Sequence, residues 1–342
     1  MKPWLLRHLD GSPQGRFPVW LMRQAGRYLP NYRKLREKHS FWEMATTPEL
    51  AAQVSLLPLE VLEVDAVIFF SDILTLPYGL GVPVEMKESV GPVVSQPLLT
   101  REAFEVFTRF RPESHTAFVG QALSLIRSTL DPEKALLGFA GAPWTVGCYL
   151  VEGRANRQFG QIKNWMHRDP ADLIVALAAL GEATLSYLKD QHAHGAEAVQ
   201  LFDTWLSEMP RQFFVEYYLP LLNRIFDALR AEGIPTIYFT KHAHHLLDDL
   251  AQLRMDVLST DELLKLGEVE ARTQKKFSLQ GNLDPVMLFG DIGVVRMETR
   301  KLVAEARKLS RPAILNLGHG ILPGTPVENV KAFVDEARAL WL

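Results

Sequence analysis

Five cationic side chains, Arg23, Arg27, Arg33, Lys34 and Arg36, crowd into one short segment of a 342-residue chain whose formal net charge is −3. A guanidinium presents a planar fork that grips carboxylates through two parallel N–H bonds. Arg23 and Arg27 flank the end of an apolar run at 18–24, and Gly26 between them lets the backbone turn tightly. Cations concentrated locally in an acidic chain point to a ligand carrying several carboxylates rather than to a broad anionic partner. For Arg33 and Arg36 a solvated helix face paired to Glu37 is an equal reading.

The segment Phe69-Phe70-Ser71-Asp72-Ile73-Leu74 sets one carboxylate among apolar residues. A buried charge needs a partner. Arg23 is one candidate partner; the other is a set of N–H donors, or a positive charge that develops during a reaction. Gly141-Ala142-Pro143-Trp144-Thr145 leaves room beside a strand end, with the Tyr149 hydroxyl nearby. Asn316-Leu317-Gly318-His319-Gly320 is a glycine-rich loop of the kind that binds phosphate in barrels, although His319 suits a carboxylate or proton transfer better. Lys241-His242-Ala243-His244-His245 resembles a metal tract by composition only, with no acidic residue or cysteine inside it. His192 and His194 fit the negative end of a helix, and Cys148 reads as a packed small residue.

These residues need elements to position them. Eight near-continuous apolar runs, at 18–24, 66–72, 135–141, 198–204, 235–240, 255–260, 277–282 and 313–318, have the pattern of parallel strands covered on both faces. Between them lie amphipathic segments with helix punctuation. Thr47-Pro48 and Asp169-Pro170 each place a capping residue before a proline. Thr325-Pro326 opens the last helix. The long helix after Asp169 should end at Gly195, and Gly233 should close the one that starts near Arg211, kinked at Pro220. The stretch 73–134 is long for one crossover and should hold a β-ribbon at 82–97 and a helix at 114–128. The expected architecture is therefore an α/β fold, a (β/α)8 TIM barrel, as a single domain over 1–342 with a long insertion after the second strand. A doubly wound sheet is the alternative, but no G-x-G-x-x-G follows any strand. In a barrel, chemistry sits at the strand ends, here Arg23, Asp72, Thr204, Thr240 with Lys241, Thr260 with Asp261, Asn282, and His319.

Composition narrows the classes. Hydrophobic residues make up 47% of the chain, enough for a sizeable core, and the charge balance implies no nucleic-acid face. One cysteine excludes an intrachain disulfide and a multi-thiolate zinc site. Residues 1–11 carry charges and no apolar h-region, so no signal peptide is expected. The apolar stretch 51–70 is broken by Pro58, Glu60, Glu63 and Asp65, so no membrane span is expected. The chain reads as a cytoplasmic protein.

Taken together, Leu5-Leu6-Arg7, the string from Pro18 to Pro30 containing Arg23-Gln24-Ala25-Gly26-Arg27-Tyr28-Leu29-Pro30, and Phe70-Ser71-Asp72-Ile73-Leu74 resemble the N-terminal signatures of the uroporphyrinogen decarboxylase family. Gly141 to Thr145, Tyr149 to Gly153, Gln200 to Asp203, Gln280 to Pro285 and Asn316 to Pro323 extend the resemblance over nearly the whole length. It implies a (β/α)8 barrel, usually a homodimer, that converts uroporphyrinogen III to coproporphyrinogen III without metal or organic cofactor. By position, Arg23, Gln24, Ala25, Gly26 and Arg27 would bind substrate carboxylates and back the macrocycle. Asp72 would accept the pyrrole N–H groups, and Phe41, Tyr149, Thr204 and His319 would line the cleft, with Asp72 and Arg23 closest to the chemistry. Two departures stand out. Lys241 is followed by His242-Ala243-His244-His245 where the family has a glycine-rich stretch, and Val257-Leu258-Ser259 replaces a tryptophan common after position 256.

The implied chemistry suits these residues. Losing CO2 from an acetate leaves an electron pair that needs a sink, and a pyrrole protonated on a ring carbon is one. A fixed carboxylate stabilises that cation where water is excluded. Arg23, with a pKa above ~12, is a poor acid, so the proton donor is left open among Arg23 through water, His319 and Tyr149. Two other classes stay in view: a related barrel methyltransferase using corrinoid and zinc, and a porphyrin carrier on the same fold.

Overall fold

The computed structural model describes residues 2–11, 16–87, 90–156 and 158–339. Seven parallel strands form one sheet: β1 Ala66–Ile68, β4 Ala135–Gly141, β5 Ala198–Asp203, β6 Thr236–Thr240, β7 Val257–Ser259, β8 Ser278–Leu283 and β9 Ala313–Leu317, in the order β1-β4-β5-β6-β7-β8-β9. Each strand is followed by helical crossover structure, so all seven point the same way and their C-terminal ends share one rim. The expected continuous burial holds, with β4, β6, β8 and β9 buried at every residue.

The sheet is curled, and the reason is visible inside it. The Trp20 indole N–H donates to Gln280 Oε1 on β8 (2.9 Å), and the Gln280 amide donates to Gln200 on β5 (3.0 Å) and to Ser259 on β7 (2.9 Å). All four residues are fully buried. An amide on β8 reaches β5, three positions away in sheet order, only if the sheet bends round toward itself.

The first expected strand, 18–24, is shorter than its apolar run suggests. It makes one parallel bridge, Val19 with Leu315 of β9. Its other edge accepts a bond from the Asp65 N–H on the Val19 carbonyl (2.7 Å), at the foot of β1. From Leu21 the chain turns: the Gln24 N–H bonds back to the Leu21 carbonyl, and Arg23 adopts φ +60°. The expected strand 66–72 stops at Ile68: Phe69 N still donates to the Leu137 carbonyl of β4 (3.0 Å), but Phe70 N leaves the ladder for Ser55 Oγ (2.8 Å).

Between β1 and β4 lies a helix Thr75–Gly79, then the antiparallel ribbon β2 Val84–Lys87 and β3 Gly91–Val94, then short helical turns and the helix Ala117–Thr129. The ribbon is where the sequence places it, though 88–89 at its turn lie outside the described residues. The helix expected from 114 begins at Ala117, because Thr116 has an extended φ of −137° that breaks it from Pro112–His115. Thr47 stands at the start of Pro48–Leu56, but its hydroxyl makes no capping bond; Asp169 does cap Pro170–Ala193, accepting the Asp172 N–H. A π-helical stretch, Phe214–Tyr218, immediately precedes Pro220 and absorbs the missing donor there.

Pro170–Ala193 is long and apolar enough to cross a membrane by length and composition, but half of its most apolar stretch is buried in the fold. Leu173, Leu177, Leu180, Tyr187 and Leu188 face the interior, which makes it a core helix packed on the sheet.

Candidate active site

The loop that follows the first segment is clamped on both sides. Met22 N donates to Asn316 Oδ1 (3.0 Å) and the Met22 carbonyl accepts from Ile321 N (2.9 Å), tying the loop to the end of β9. On the other side the Gln24 amide donates to the Ala66 carbonyl of β1 (3.0 Å), while its oxygen accepts the Leu21 N–H (3.1 Å). Gln24 is therefore fully buried and its side chain is consumed by the loop. Its side chain therefore points away from those of Arg23 and Arg27, as neighbours in a turn do, and only its backbone shares their face of the loop. Ala25 and Gly26 are half-buried on the same loop, and Arg23 and Arg27 are exposed. The Arg23 side chain lies flat against Gly320, where any Cβ would come within 2.4 Å of Arg23 Cδ.

Arg33 and Arg36 do not pair with Glu37. Arg33 donates to the carbonyls of Arg27 and Tyr28, both at 2.9 Å, and Arg36 to the carbonyl of His39 (2.6 Å). Arg33 thus braces the loop that presents Arg23 and Arg27, while Arg36 closes the C-terminal end of its own helix, Pro30–Lys38.

Asp72 sits half-buried past the end of β1. Oδ1 accepts the Leu74 N–H (2.9 Å), and its own N–H meets Thr75 Oγ1 (3.2 Å), which is also bonded to Ser71 Oγ (2.6 Å). Oδ2 makes no hydrogen bond among the described residues, and Arg23 acts on Asp72 by its charge without a direct ion pair. Burial raises the Asp72 pKa above the ordinary carboxylate value; the Leu74 N–H and the Arg23 charge oppose this.

The other expected residues gather round. Tyr149, on the helix Pro143–Glu152 after β4, is half-buried; burial and the nearby Asp72 charge push its pKa up to about 12, so it stays a protonated donor. Its ring lies 6.3 Å from that of Trp205, which follows Thr204 at the end of β5. The Phe41 ring lies 5.4 Å from Phe70, two residues before Asp72. His319, past β9, packs edge-on to Phe239 of β6 at 6.0 Å. Burial, reinforced by the charges of Arg23, Lys241 and His242, lowers its pKa to about 3. It is neutral at pH 7 and meets a carboxylate as an N–H donor rather than as a cation.

Two polar strand ends turn out to be structural. Asn282 spends its amide on the carbonyls of Asp261 and Leu264, both 2.7 Å away. Asp261 is buried and its carboxylate accepts from His242 N and Leu263 N and contacts His244 Nε2. Thr240 and Thr260 are buried as well.

Two features escape the sequence. One is an aromatic wall: Phe139 meets Phe202 edge-on at 5.5 Å, Phe202 meets Phe239 at 5.7 Å, and Phe239 meets His319. The other is Asp203, fully buried at the end of β5, which accepts from Thr145 Oγ1 (2.6 Å), Tyr238 OH (2.7 Å) and Tyr218 OH (2.8 Å). Its signal was the same as that of Asp72, a carboxylate ending an apolar run.

Together these place at one rim of the sheet a row of edge-on aromatic rings, one carboxylate offering a free oxygen, and exposed arginines. The arrangement suits a flat or puckered apolar ring with donor N–H groups and several acidic arms.

Comparison with known proteins agrees with that chemistry. The sequence profile of the family described as Uroporphyrinogen decarboxylase (URO-D) matches residues 2–340. The chain is 40% identical over 339 residues to the uroporphyrinogen decarboxylase of Thioalkalivibrio sulfidiphilus, covering 98% of this chain and 96% of that one. It is 38% identical to that of Gloeobacter violaceus (98% and 97% covered) and 37% identical to that of Schizosaccharomyces pombe (98% and 96%). Among solved structures, a methyltransferase from Methanosarcina mazei superposes with a TM-score of 0.80 at 21% identity, covering 99% of this chain and 98% of that one. At that identity the likeness speaks for the fold.

Proposed function

This chain belongs to the uroporphyrinogen decarboxylase family, and from that premise we propose how its cleft performs the reaction. The chain is a decarboxylase of tetrapyrrole biosynthesis. The proposal concerns the residues and the steps. The observation that carries it is the free Oδ2 of Asp72, set at a strand end among apolar side chains with Arg23 near but not bonded.

Uroporphyrinogen enters as a puckered ring with its pyrrole N–H groups on Asp72 and its hydrophobic face toward Phe202, the half-buried ring that Phe139 and Phe239 back edge-on. Arg23 and Arg27 hold acetate and propionate carboxylates, with Tyr149 and His319 as neutral donors; Ala25 and Gly26 form the loop backbone against the ring, and Phe41 and Thr204 complete the walls. A ring carbon of one pyrrole takes a proton and the ring becomes cationic. Asp72 stabilises that cation electrostatically. The bond from the acetate methylene to its carboxylate then breaks. CO2 leaves, and its bonding pair forms an exocyclic double bond that neutralises the ring. Protonation of that methylene gives the methyl group, and loss of the ring-carbon proton restores the pyrrole. Net, each acetate takes up one proton and releases one CO2. The pyrrole is its own electron sink, so the scheme uses no metal or organic cofactor.

The same reading treats 18–20 as the eighth stave, closing the sheet into a (β/α)8 barrel between β9 and β1, with 73–134 as the insertion after the second stave. Support comes from its bonds to Leu315 on one side and Asp65 on the other. We also read the protein as a cytoplasmic homodimer. The segment from Val286 to Met297 exposes Val286, Phe289, Ile292 and Met297 to solvent, an apolar strip suited to a second copy. Phe289→Asp together with Met297→Asp should convert a dimer to a monomer by light scattering; a wild-type monomer, or an unmoved dimer, would remove this strip from the interface.

A zinc and corrinoid methyltransferase is not favoured. Its thiolate ligand would have to be Cys148, which is fully buried and whose pKa burial pushes well up. The decisive experiment is anaerobic incubation with uroporphyrinogen III, resolving products by carboxylate number. The expected result is stepwise loss to the tetracarboxylate. Binding of the octacarboxylate without conversion would identify a carrier instead.

A further inference from the structure

At the lip between the ends of β6 and β9 lies a cationic cluster that the scheme above does not use. Lys241, directly after β6, is half-buried, and among the described residues it makes no hydrogen bond or ion pair. His242 follows it, exposed, with φ +54°, a left-handed conformation that a residue with a side chain adopts only under strain. That conformation is held from behind. The buried Asp261 accepts the His242 backbone N–H (2.5 Å) and contacts His244 Nε2 (3.1 Å), while Arg272 donates to the His244 carbonyl (2.8 Å). Asp261 thus spends its charge on the backbone and on His244, leaving the Lys241 ammonium uncompensated.

The cluster converges on His319. Its ring packs against Phe239, two residues before Lys241, and the residue after it, Gly320, carries the Arg23 side chain. The charges of Arg23, Lys241 and His242 all act on this imidazole; Asp261 opposes them only weakly. The other carboxylate here, Glu262, is half-buried against Gly318, within 2.4 Å of where a Cβ on that glycine would sit, and its Oε2 is buried without a hydrogen-bond partner. Among the described residues neither Lys241 nor Arg23 is bonded to a carboxylate, and cations gathered at a strand-end rim without a bonded partner are a site for an anion.

We propose that Lys241 and His242 form, with His319, a carboxylate subsite for one acidic arm of the tetrapyrrole, separate from the arms held by Arg23 and Arg27. Lys241 supplies the point charge, and the left-handed turn at His242, fixed by Asp261, presents a second side-chain donor that a glycine there would lack. The subsite rests on the decarboxylase reading for its ligand, and it acts in binding and selecting the substrate rather than in the carbon–carbon cleavage.

The test is steady-state kinetics with uroporphyrinogen III, alongside fluorescence quenching with uroporphyrin as a non-reacting octacarboxylate, on wild type, K241M, K241R and H242G. Glycine accepts the left-handed conformation without strain, so H242G removes the side chain and keeps the turn. K241M is expected to raise KM and the uroporphyrin Kd by about 10-fold, one lost charged contact, with kcat within about twofold. K241R should recover most of that, and H242G should cost about threefold in KM. Unchanged KM and Kd in K241M, or a loss confined to kcat, would overturn the subsite. If wild type binds uroporphyrin but turns over no uroporphyrinogen, the decarboxylase reading fails, and the Kd series still decides the subsite.

Discussion

Asp72→Asn is expected to lower kcat by on the order of 10³-fold, the scale seen when a group aimed at developing charge is removed, while the protein folds as before. Asparagine fits the same space and can still accept the Leu74 N–H, so loop geometry survives. What it lacks is negative charge beside a pyrrole that turns cationic. Stability separates this from a structural role. The folded pKa of Asp72 is raised because the carboxylate is shielded from water. The folded state therefore holds this proton more tightly than the unfolded chain does, and stability falls as pH rises through the window that starts at the ordinary value of 3.8. At neutral pH the wild type carries the cost of an ionised, half-buried group and the Asn variant does not, so the variant's Tm should equal or exceed that of wild type. In wild type, kcat/KM should fall as pH drops through the raised Asp72 pKa, giving an acid limb above the usual carboxylate range. Turnover within tenfold of wild type, or a variant that unfolds, would remove Asp72 from this role.

The largest effect on folding is expected at Asp203. Its carboxylate is the acceptor for three hydroxyls, and two of those hydroxyls accept in turn from the Trp144 and Trp205 backbone N–H groups, both at 3.0 Å. The cluster joins the helix that carries Tyr149 to the strand that ends at Thr204. Burial pushes the Asp203 pKa up, and the Thr145, Tyr238 and Tyr218 hydroxyls hold it down. Asp203→Ala leaves three buried hydroxyls without their acceptor, at a cost on the order of 3–5 kcal/mol. Asp203→Asn keeps one oxygen and should cost about 1–2 kcal/mol. Urea unfolding measures both, and equal midpoints for alanine and wild type would mean the network contributes little.

Most of the rim was legible because strand ends are legible. An apolar run that stops at a polar residue marks a place where the chain leaves the sheet, and Arg23, Asp72, Thr204 and His319 all lie at such places. Contiguity does not show side-chain direction where the chain turns: Gln24 adjoins Arg23 in sequence, yet its amide points inward to Ala66. The aromatic row was illegible because Phe139, Phe202 and Phe239 sit inside runs that read as core; only the strand order and register, which set Phe202 opposite Phe239, show that their rings meet across neighbouring strands. Asp203 was hidden for another reason. Its partners lie 58, 15 and 35 residues away, and no local pattern announces them. The brevity of the first strand likewise comes from the clamps on Met22 and Gln24, which begin the Arg23 loop before the apolar run is over.

The amide relay from Trp20 through Gln280 to Gln200 and Ser259 lies beneath the site. Aliphatic packing tolerates sliding, whereas hydrogen bonds between fixed donors and acceptors hold only at one offset. That relay therefore works like the wards of a lock: it indexes the strands carrying Thr204, Asp261 and the loop of Arg23 to one relative height. The groups at the rim above it therefore take a spacing decided one storey down, independently of anything that lands there.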